Sequence, residues 1–167
     1  NEVFRGCEML NRVSLPKSLH FFGKQSLVEC SQLESVRFCP QNSHFFSLDG
    51  MIVDRDLVIV FAPPCLKGEV RVPSGIRAIG DYAFNGCSWL THVDLPESVV
   101  FVGNRSFEKC GHLNSVNLKK EVIWIGEEAF SGCEHLSSLT LPDSIEHIGS
   151  SAFKNCSDLD SFRAPRK

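Results

Sequence analysis

Cysteine is the residue whose number and spacing in this sequence first suggest chemistry. The chain has 8 cysteines among 167 residues, a content typical of a disulfide framework or of a metal site. Cys7 and Cys30 lie 23 residues apart, and the same interval separates the members of a second series, Cys87, Cys110, Cys133 and Cys156. No pair of cysteines has the close spacing that zinc sites use. We therefore expect these thiols to bind no metal.

Histidine offers a second route to metal chemistry. His112 and His135 are one 23-residue interval apart, with Trp89 one interval earlier and Asp158 one later. Neighbouring imidazoles can share a metal ion, but we favour a solvated row of polar side chains. No nucleophile elbow, P-loop, HExxH or dinucleotide-binding motif occurs in the sequence. Nothing indicates catalysis, and we expect no cofactor.

The charge balance argues against two classes of partner. The chain has 17 basic and 20 acidic residues, for a formal charge of -3, and no basic run is longer than two residues. Nucleic acids and anionic membranes are normally met by a concentrated basic face. The apolar stretches are also far shorter than the ~20 residues that cross a bilayer. We expect no membrane insertion of this segment, and any signal peptide is either already removed or outside it.

One repeated unit accounts for almost the whole chain. Its pattern is apolar-x-x-apolar-Gly-x-x-small-Phe-x-x-Cys-x-x-Leu-x-x-apolar-x-Leu-Pro. Four copies follow one another at a period of 23 residues, beginning at Ile76, Val99, Val122 and Ile145. The same frame fits from Leu19, with Leu27 at the Phe position, and its second half fits residues 2–16. Six units are therefore in register.

Such a repeat predicts a solenoid. Parallel strands ~4.8 Å apart turn each repeat position into a column of like side chains. Positions such as Leu90, Val93 and Leu95 then form an inward apolar wall. A stack of aromatic rings lies opposite, at Phe84, Phe107, Phe130 and Phe153. The glycine of each unit sits where the chain turns and permits a positive φ or a close approach, at residues 23, 80, 103, 126 and 149.

The predicted solenoid indicates whether the six periodic cysteines are free or form disulfides. Equivalent residues of successive coils point in parallel and inward, whereas a disulfide needs Cβ atoms that converge to ~3.8 Å. We expect a buried column of free thiols. Cys39 and Cys65 fall outside the column, and two alternatives stay open. They pair if the chain between them folds back, or Cys65 replaces a column cysteine one position out of register.

The interval between Phe38 and Val72 is one period plus 11 residues, which predicts a seventh, diverged unit. Its insertion, within residues 41–66, alternates apolar residues on either side of residues 54–56 and predicts a projecting β-hairpin. Four large apolar side chains of the insertion either cap the coil beneath it, the alternative we favour, or form an exposed patch: Phe45, Phe46, Met51 and Phe61. We expect one domain over residues 1–167, of about seven units. Because both ends fall inside the repeat frame, we expect a fragment of a longer array, or ends that associate.

The pattern IGxxAFxxCxxLxxVxLP, as it stands at residues 79–96, resembles the repeat of the BspA-like leucine-rich-repeat family of surface antigens. The segment SLDGMIV…FAPP…VRVPSG resembles an interruption found in such proteins. The resemblance implies a right-handed solenoid with a parallel sheet on one face and short strands, turns or helical turns on the other. It also implies a cell-surface or secreted protein linked with adhesion. Three positions depart from the pattern: Leu27 for Phe, Lys119 for Pro and Ala164 for Leu.

Because packing constrains the inward positions, we expect a ligand-binding surface at the outward positions of the parallel sheet. They are Arg37, Trp89, Thr91, His92, Asp94, Asn114, Ser115, Asn117, Ser137, Ser138, Thr140, Asp160 and Arg163. Trp89 is the one large aromatic anchor among them. The alternative is that these short polar side chains only keep the sheet hydrated.

Three functional hypotheses follow. The first is a macromolecule-binding module that recognises a protein or glycoprotein, as in adhesion. The second is a structural spacer without a ligand of its own. The third is a metal protein or enzyme that uses His112 and His135. The absence of catalytic motifs places the first ahead of the third.

Overall fold

The computed structural model describes residues 3–23 and 25–161 in full and the backbone of residues 162–163. Within that part of the chain the protein is a solenoid of fourteen β-strands without a helix. The strands are β1 (Arg12–Leu15), β2 (Ser35–Phe38), β3 (Phe45–Leu48), β4 (Met51–Asp54), β5 (Val58–Phe61), β6 (Gly68–Arg71), β7 (Ala78–Ile79), β8 (Leu90–Asp94), β9 (Phe101–Val102), β10 (Ser115–Asn117), β11 (Trp124–Ile125), β12 (Ser138–Thr140), β13 (His147–Ile148) and β14 (Ser161–Arg163).

One side of the solenoid carries the predicted parallel strands, which we call the first sheet. Its ladders are β1–β2, β6–β8–β10 and β12–β14, and neighbouring strands pair in register one repeat apart. Val70, Val93 and Val116, for example, are successive partners. Val93 and Val116 are buried, so the apolar position of each unit forms the expected inward wall.

The opposite side is a second sheet of seven strands in the order β13-β11-β9-β7-β5-β4-β3. Strands β7, β9, β11 and β13 have only two residues each and pair in parallel. Their inward residues Ile79, Val102 and Ile125 are buried. The two sheets therefore enclose one apolar column after another, as the repeat predicts.

The insertion forms the predicted hairpin between β4 and β5, but it does not project. A third strand, β3, joins β4, and β5 pairs in parallel with β7, so the insertion extends the second sheet. An irregularity in the β4–β5 pairing matches Ile52 with Phe61 and Val53 with Ile59. Ile52 and Phe61 then pack into the core of the first two units, while Val53 and Ile59 pack into the core of the later units. Because the insertion is buried on both faces, it cannot stand away from the coil.

The four large apolar residues of the insertion differ in their burial. Phe45, Met51 and Phe61 are buried, whereas Phe46 remains 38% exposed. Capping of the neighbouring coil is thus the correct alternative for three of them.

A stack of aromatic rings runs through the later units, as expected. The ring centroids are 4.9 Å apart between Phe84 and Phe107, 5.2 Å between Phe107 and Phe130, and 5.6 Å between Phe130 and Phe153. The planes of the last two pairs differ by 1° and 5°. Leu27 is 2% exposed, so the first departure from the repeat is accommodated inside the core.

Close approach, not a positive φ, explains the glycine at the turn of the later units. A Cβ atom added to Gly103 would lie 2.7 Å from the backbone nitrogen of Asp81, and one added to Gly126 would lie 2.5 Å from that of Asn104. The positive φ falls two residues later instead, with values of 51° at Arg105 and 50° at Glu128. The coils are therefore in contact through backbone at this position.

The periodic cysteines form the predicted thiol column. All eight cysteines are free, and Cys30, Cys87, Cys110 and Cys133 are fully buried. The Cys110 thiol donates a hydrogen bond to the backbone oxygen of Phe84 at 3.2 Å. The equivalent thiols of the next two units donate to the preceding Phe position at 3.1 and 3.2 Å. Cysteine suits this position because it is small and apolar, and its thiol adds a second hydrogen bond to a carbonyl group that already accepts one from backbone, as Phe84 does from the Cys87 N–H group.

The cysteines at the margins behave differently. The predicted burial is wrong for Cys7, in the first unit, which is exposed, and it is only partial for Cys156, in the last, which is half-buried. Cys39 and Cys65 do not pair. The Cys39 thiol donates to Gln41 Oε1 at 2.7 Å, and the Cys65 thiol donates to the backbone oxygen of Glu34 at 3.7 Å.

Candidate binding surface

The residues predicted to form a ligand-binding surface lie on the outward face of the first sheet or directly before its strands, and none whose side chain is described is buried. Thr91, Asp94 and Ser115 are half-buried. The exposed ones are Arg37, Trp89, His92, Asn114, Asn117, Ser137, Ser138, Thr140 and Asp160. Arg163 lies in β14, but its side chain lies outside the described part of the chain.

Strand register brings the central members of this set together. His92 on β8 is the partner of Ser115 on β10, and Asp94 is the partner of Asn117. With Glu69 from β6 they line a shallow depression of about 380 Å³. We call this depression the sheet pocket. Arg37 does not join it, because β2 belongs to a separate ladder.

The two carboxylates of the sheet pocket are each paired with a basic side chain. Asp94 accepts hydrogen bonds from Lys119 Nζ at 2.6 Å and from Asn117 Nδ2 at 2.8 Å. The hydrogen bond from Lys119 is the main cause that lowers the pKa of the Asp94 carboxyl group. Glu69 is similarly paired with Arg71 at 2.9 Å. A cation would have to displace these partners to bind here.

Two contributors to the sheet pocket were missed in the sequence. Glu69 lies in β6, in the diverged unit before β8, and it is the register partner of His92. The segment GEVRVP fits the repeat and would have predicted this position. Lys119 was noted only as a departure from Pro. Its ammonium group reaches back one strand to Asp94, so the departure supplies a charge that proline lacks.

A row of side chains from successive units runs along the margin of the first sheet. It consists of Trp89, His112, His135 and Asp158, and we call it the Trp–His row. The Trp89 and His112 rings stack with centroids 4.9 Å apart, and the His112 and His135 centroids are 5.6 Å apart. Trp89 is 57% exposed, which suits the role of an anchor for a partner.

The second sheet carries an exposed aromatic row that the sequence analysis did not identify. Phe101, Trp124 and His147 are register partners on β9, β11 and β13. Phe101 is 46% and Trp124 41% exposed. The Trp124 and His147 rings stack at 3.6 Å, so one face of the indole is already covered. The signal in the sequence is the recurrence of aromatic residues at 23-residue intervals, at positions 101, 124 and 147.

Among residues 3–23 and 25–161, no three His, Cys, Asp or Glu side chains are grouped to hold a metal ion. The described residues also include no helix that would cross a lipid bilayer.

Comparisons with known proteins agree with this architecture. A family model described as "BspA type Leucine rich repeat region" matches in 6 copies over residues 1–47 and 60–167. No curated protein matches the sequence.

Solved structures show the same fold. The crystal structure of the pneumococcal vaccine antigen PcpA has a TM-score of 0.87 and 25% identity, over 92% of this chain and 38% of that one. A leucine-rich cell surface protein from Faecalibacterium prausnitzii has a TM-score of 0.72 and 19% identity, over 98% of this chain and 62% of that one. A leucine-rich-repeat protein from Eubacterium ventriosum has a TM-score of 0.68 and 18% identity, over 93% of this chain and 49% of that one. The chain thus spans less than two thirds of each.

Proposed function

Because the chain belongs to the BspA-type leucine-rich-repeat family, we propose that it is a macromolecule-binding module whose first sheet receives a protein or glycoprotein partner. One observation carries the proposal, the contrast between the two sides of β8 and β10. Inward residues such as Val93 and Val116 form uniform buried columns. Outward residues differ from unit to unit, so they can give a partner something specific to recognise.

The chemistry of the surface indicates what kind of partner it suits. The sheet pocket offers amide, hydroxyl and imidazole groups, and its carboxylates at Glu69 and Asp94 are already paired. A partner would therefore bind through hydrogen bonds around an aromatic anchor at Trp89. We expect the affinity for the partner to depend only modestly on salt concentration, because the carboxylates that line the sheet pocket are already paired with Arg71 and Lys119.

A cell-surface or secreted location is part of the same proposal. It is supported by two similar structures, one of a vaccine antigen and the other of a cell surface protein. We assign no enzymatic activity to the chain, because the matched family is a repeat architecture and the sequence has none of the common catalytic motifs.

The chain provides a matched pair of residues with which to test the proposal. It has only 2 tryptophans. Trp89 is 57% exposed beside the first sheet, and Trp124 is 41% exposed on the second. An array of extracellular proteins and glycans is probed with the purified chain, and each hit is then measured with Trp89→Ala and Trp124→Ala. We expect Trp89→Ala to weaken binding at least tenfold, as truncation of an anchor does, and Trp124→Ala to leave it unchanged.

Two outcomes would count against the first sheet as the binding surface. Loss of binding in Trp124→Ala alone would move the site to the second sheet. Absence of any reproducible hit would favour the second hypothesis, a spacer without a ligand. For the spacer, simultaneous substitution of His92, Asn117 and Thr140 would leave adhesion unchanged.

A further inference from the structure

The geometry of the Trp–His row supports an inference that does not depend on the identity of a macromolecular partner. We propose that His112 and His135 together bind one divalent transition-metal cation of the group that imidazole prefers, Ni²⁺, Cu²⁺ or Zn²⁺. The sequence favoured a solvated polar row, because spacing alone shows neither the orientation of the rings nor their partners. The structure supplies both.

The hydrogen bonds of the two rings determine which nitrogen is available to a cation. His112 Nδ1 lies 2.8 Å from the backbone oxygen of Ser88. His135 Nδ1 lies 2.8 Å from Asp158 Oδ2. Both oxygens only accept hydrogen bonds, so each Nδ1 carries the proton and donates it. In the neutral rings the lone pair therefore resides on Nε2.

This arrangement is the one that metal-binding histidines use. Such residues almost always donate their other ring N–H group to a carboxylate or a backbone carbonyl, which sets the tautomer and strengthens the ligand nitrogen. Here His112 has the carbonyl partner and His135 the carboxylate partner. Both partners are in place before any cation binds.

The separation of the rings also fits one shared cation. With metal–nitrogen bonds of about 2.0–2.1 Å, two imidazole rings on one tetrahedral or trigonal centre have centroids about 5–5.5 Å apart. The His112 and His135 centroids are 5.6 Å apart. Both residues are exposed, so water or a group from a partner can complete the coordination shell. The stacked Trp89 ring restrains His112 on its other side.

A second pair of histidines provides an internal control. The rings of His20 and His44 are also close, with centroids 4.8 Å apart. The hydrogen-bond partner of His44 Nδ1 is the hydroxyl group of Ser43, which can either donate or accept. Its tautomer is therefore not determined as it is for His112 and His135. If proximity alone were sufficient, both pairs would bind.

The test is a calorimetric titration of the untagged chain with Ni²⁺ at neutral pH. It is combined with paramagnetic broadening of the histidine ring signals in NMR spectra. We expect one saturable site, with broadening centred on His112 and His135. His112→Ala and His135→Ala should each weaken binding at least tenfold, whereas His44→Ala should not change it. His112 and His135 are exposed and His44 is half-buried, so thermal unfolding will verify that each variant folds.

Three results would overturn the proposal. The first is the absence of saturable binding by the wild-type chain. The second is equal affinity in the wild type and in the His112→Ala/His135→Ala double variant. The third is loss of affinity in His44→Ala, which would assign the ion to the other pair.

Discussion

Replacement of Ser106 by alanine is predicted to stabilise the protein. Ser106 is fully buried, and its Oγ has no hydrogen-bond partner within the described part of the chain. The equivalent positions in neighbouring units are buried alanines, Ala83, Ala129 and Ala152. Leaving a buried hydroxyl group without a partner costs roughly 1–3 kcal/mol. Alanine removes that cost and fits a column that already accepts it.

We expect a gain of about 1 kcal/mol in the free energy of unfolding, near the lower limit, because the missing oxygen leaves a small void. For a domain of this size the gain raises Tm by about 2–4 °C. Urea and thermal unfolding, followed by circular dichroism, would measure it. The reverse variant, Ala129→Ser, is the control and should destabilise by a similar amount. A lower Tm for Ser106→Ala, or an unchanged Tm for Ala129→Ser, would refute the reasoning.

Three further predictions concern the columns. Lys109 has a φ of 63° in a column where Gly86 and Gly132 have 74°, so Lys109→Gly should stabilise by about 0.5–1 kcal/mol in urea unfolding. Gly126→Ala should destabilise by more than about 2 kcal/mol in the same assay, because its Cβ would lie 2.5 Å from backbone. Burial raises the pKa of the Cys87 thiol above 9.0, so that thiol stays protonated in the folded state while the unfolded chain ionises. The contribution of this thiol to the free energy of unfolding is therefore at its full value below about pH 9. Above that pH it decreases by about 1.4 kcal/mol per pH unit. Urea unfolding at pH 8 and pH 10 would detect the loss, and a pH-independent midpoint would contradict it.

The repeat made the fold predictable because each repeat position packs against the same position in the units before and after it. Phe107 packs between Phe84 and Phe130, so recurrence in sequence becomes adjacency in space. The thiol column followed for the same reason. The hydrogen bond from Cys110 to the Phe84 carbonyl was not predictable, because it depends on where the backbone oxygen of the preceding coil points.

The insertion shows where repetition ceases to inform. Its alternating apolar residues indicated a hairpin, but alternation does not show whether one face or both faces are covered. Ile52 and Val53 pack into different cores, and that requires a neighbour on each side of the strand. The sequence did contain a signal for the second neighbour, because the unbroken apolar run at residues 51–53 is typical of a strand covered on both faces.

The candidate surface was predictable as a set of positions but not as a site. Outward positions follow from the strand period, and His92 and Asn117 were identified in this way. Glu69 lines the sheet pocket from a diverged unit, and Lys119, which follows β10, pairs with Asp94 on the neighbouring strand β8. The direction of each histidine Nδ1 depends on a carbonyl or carboxylate one unit away, which spacing does not specify.

The inward thiol column is the central claim of this account, and alkylation of the native protein tests it most directly. Iodoacetamide labelling would be followed by mass spectrometry of each cysteine-containing peptide over time. The structure predicts rapid labelling of exposed Cys7 and protection of Cys87, Cys110 and Cys133 until urea unfolds the chain. Native labelling of Cys110 and Cys133 at the rate of Cys7 would show that the coils do not stack in register.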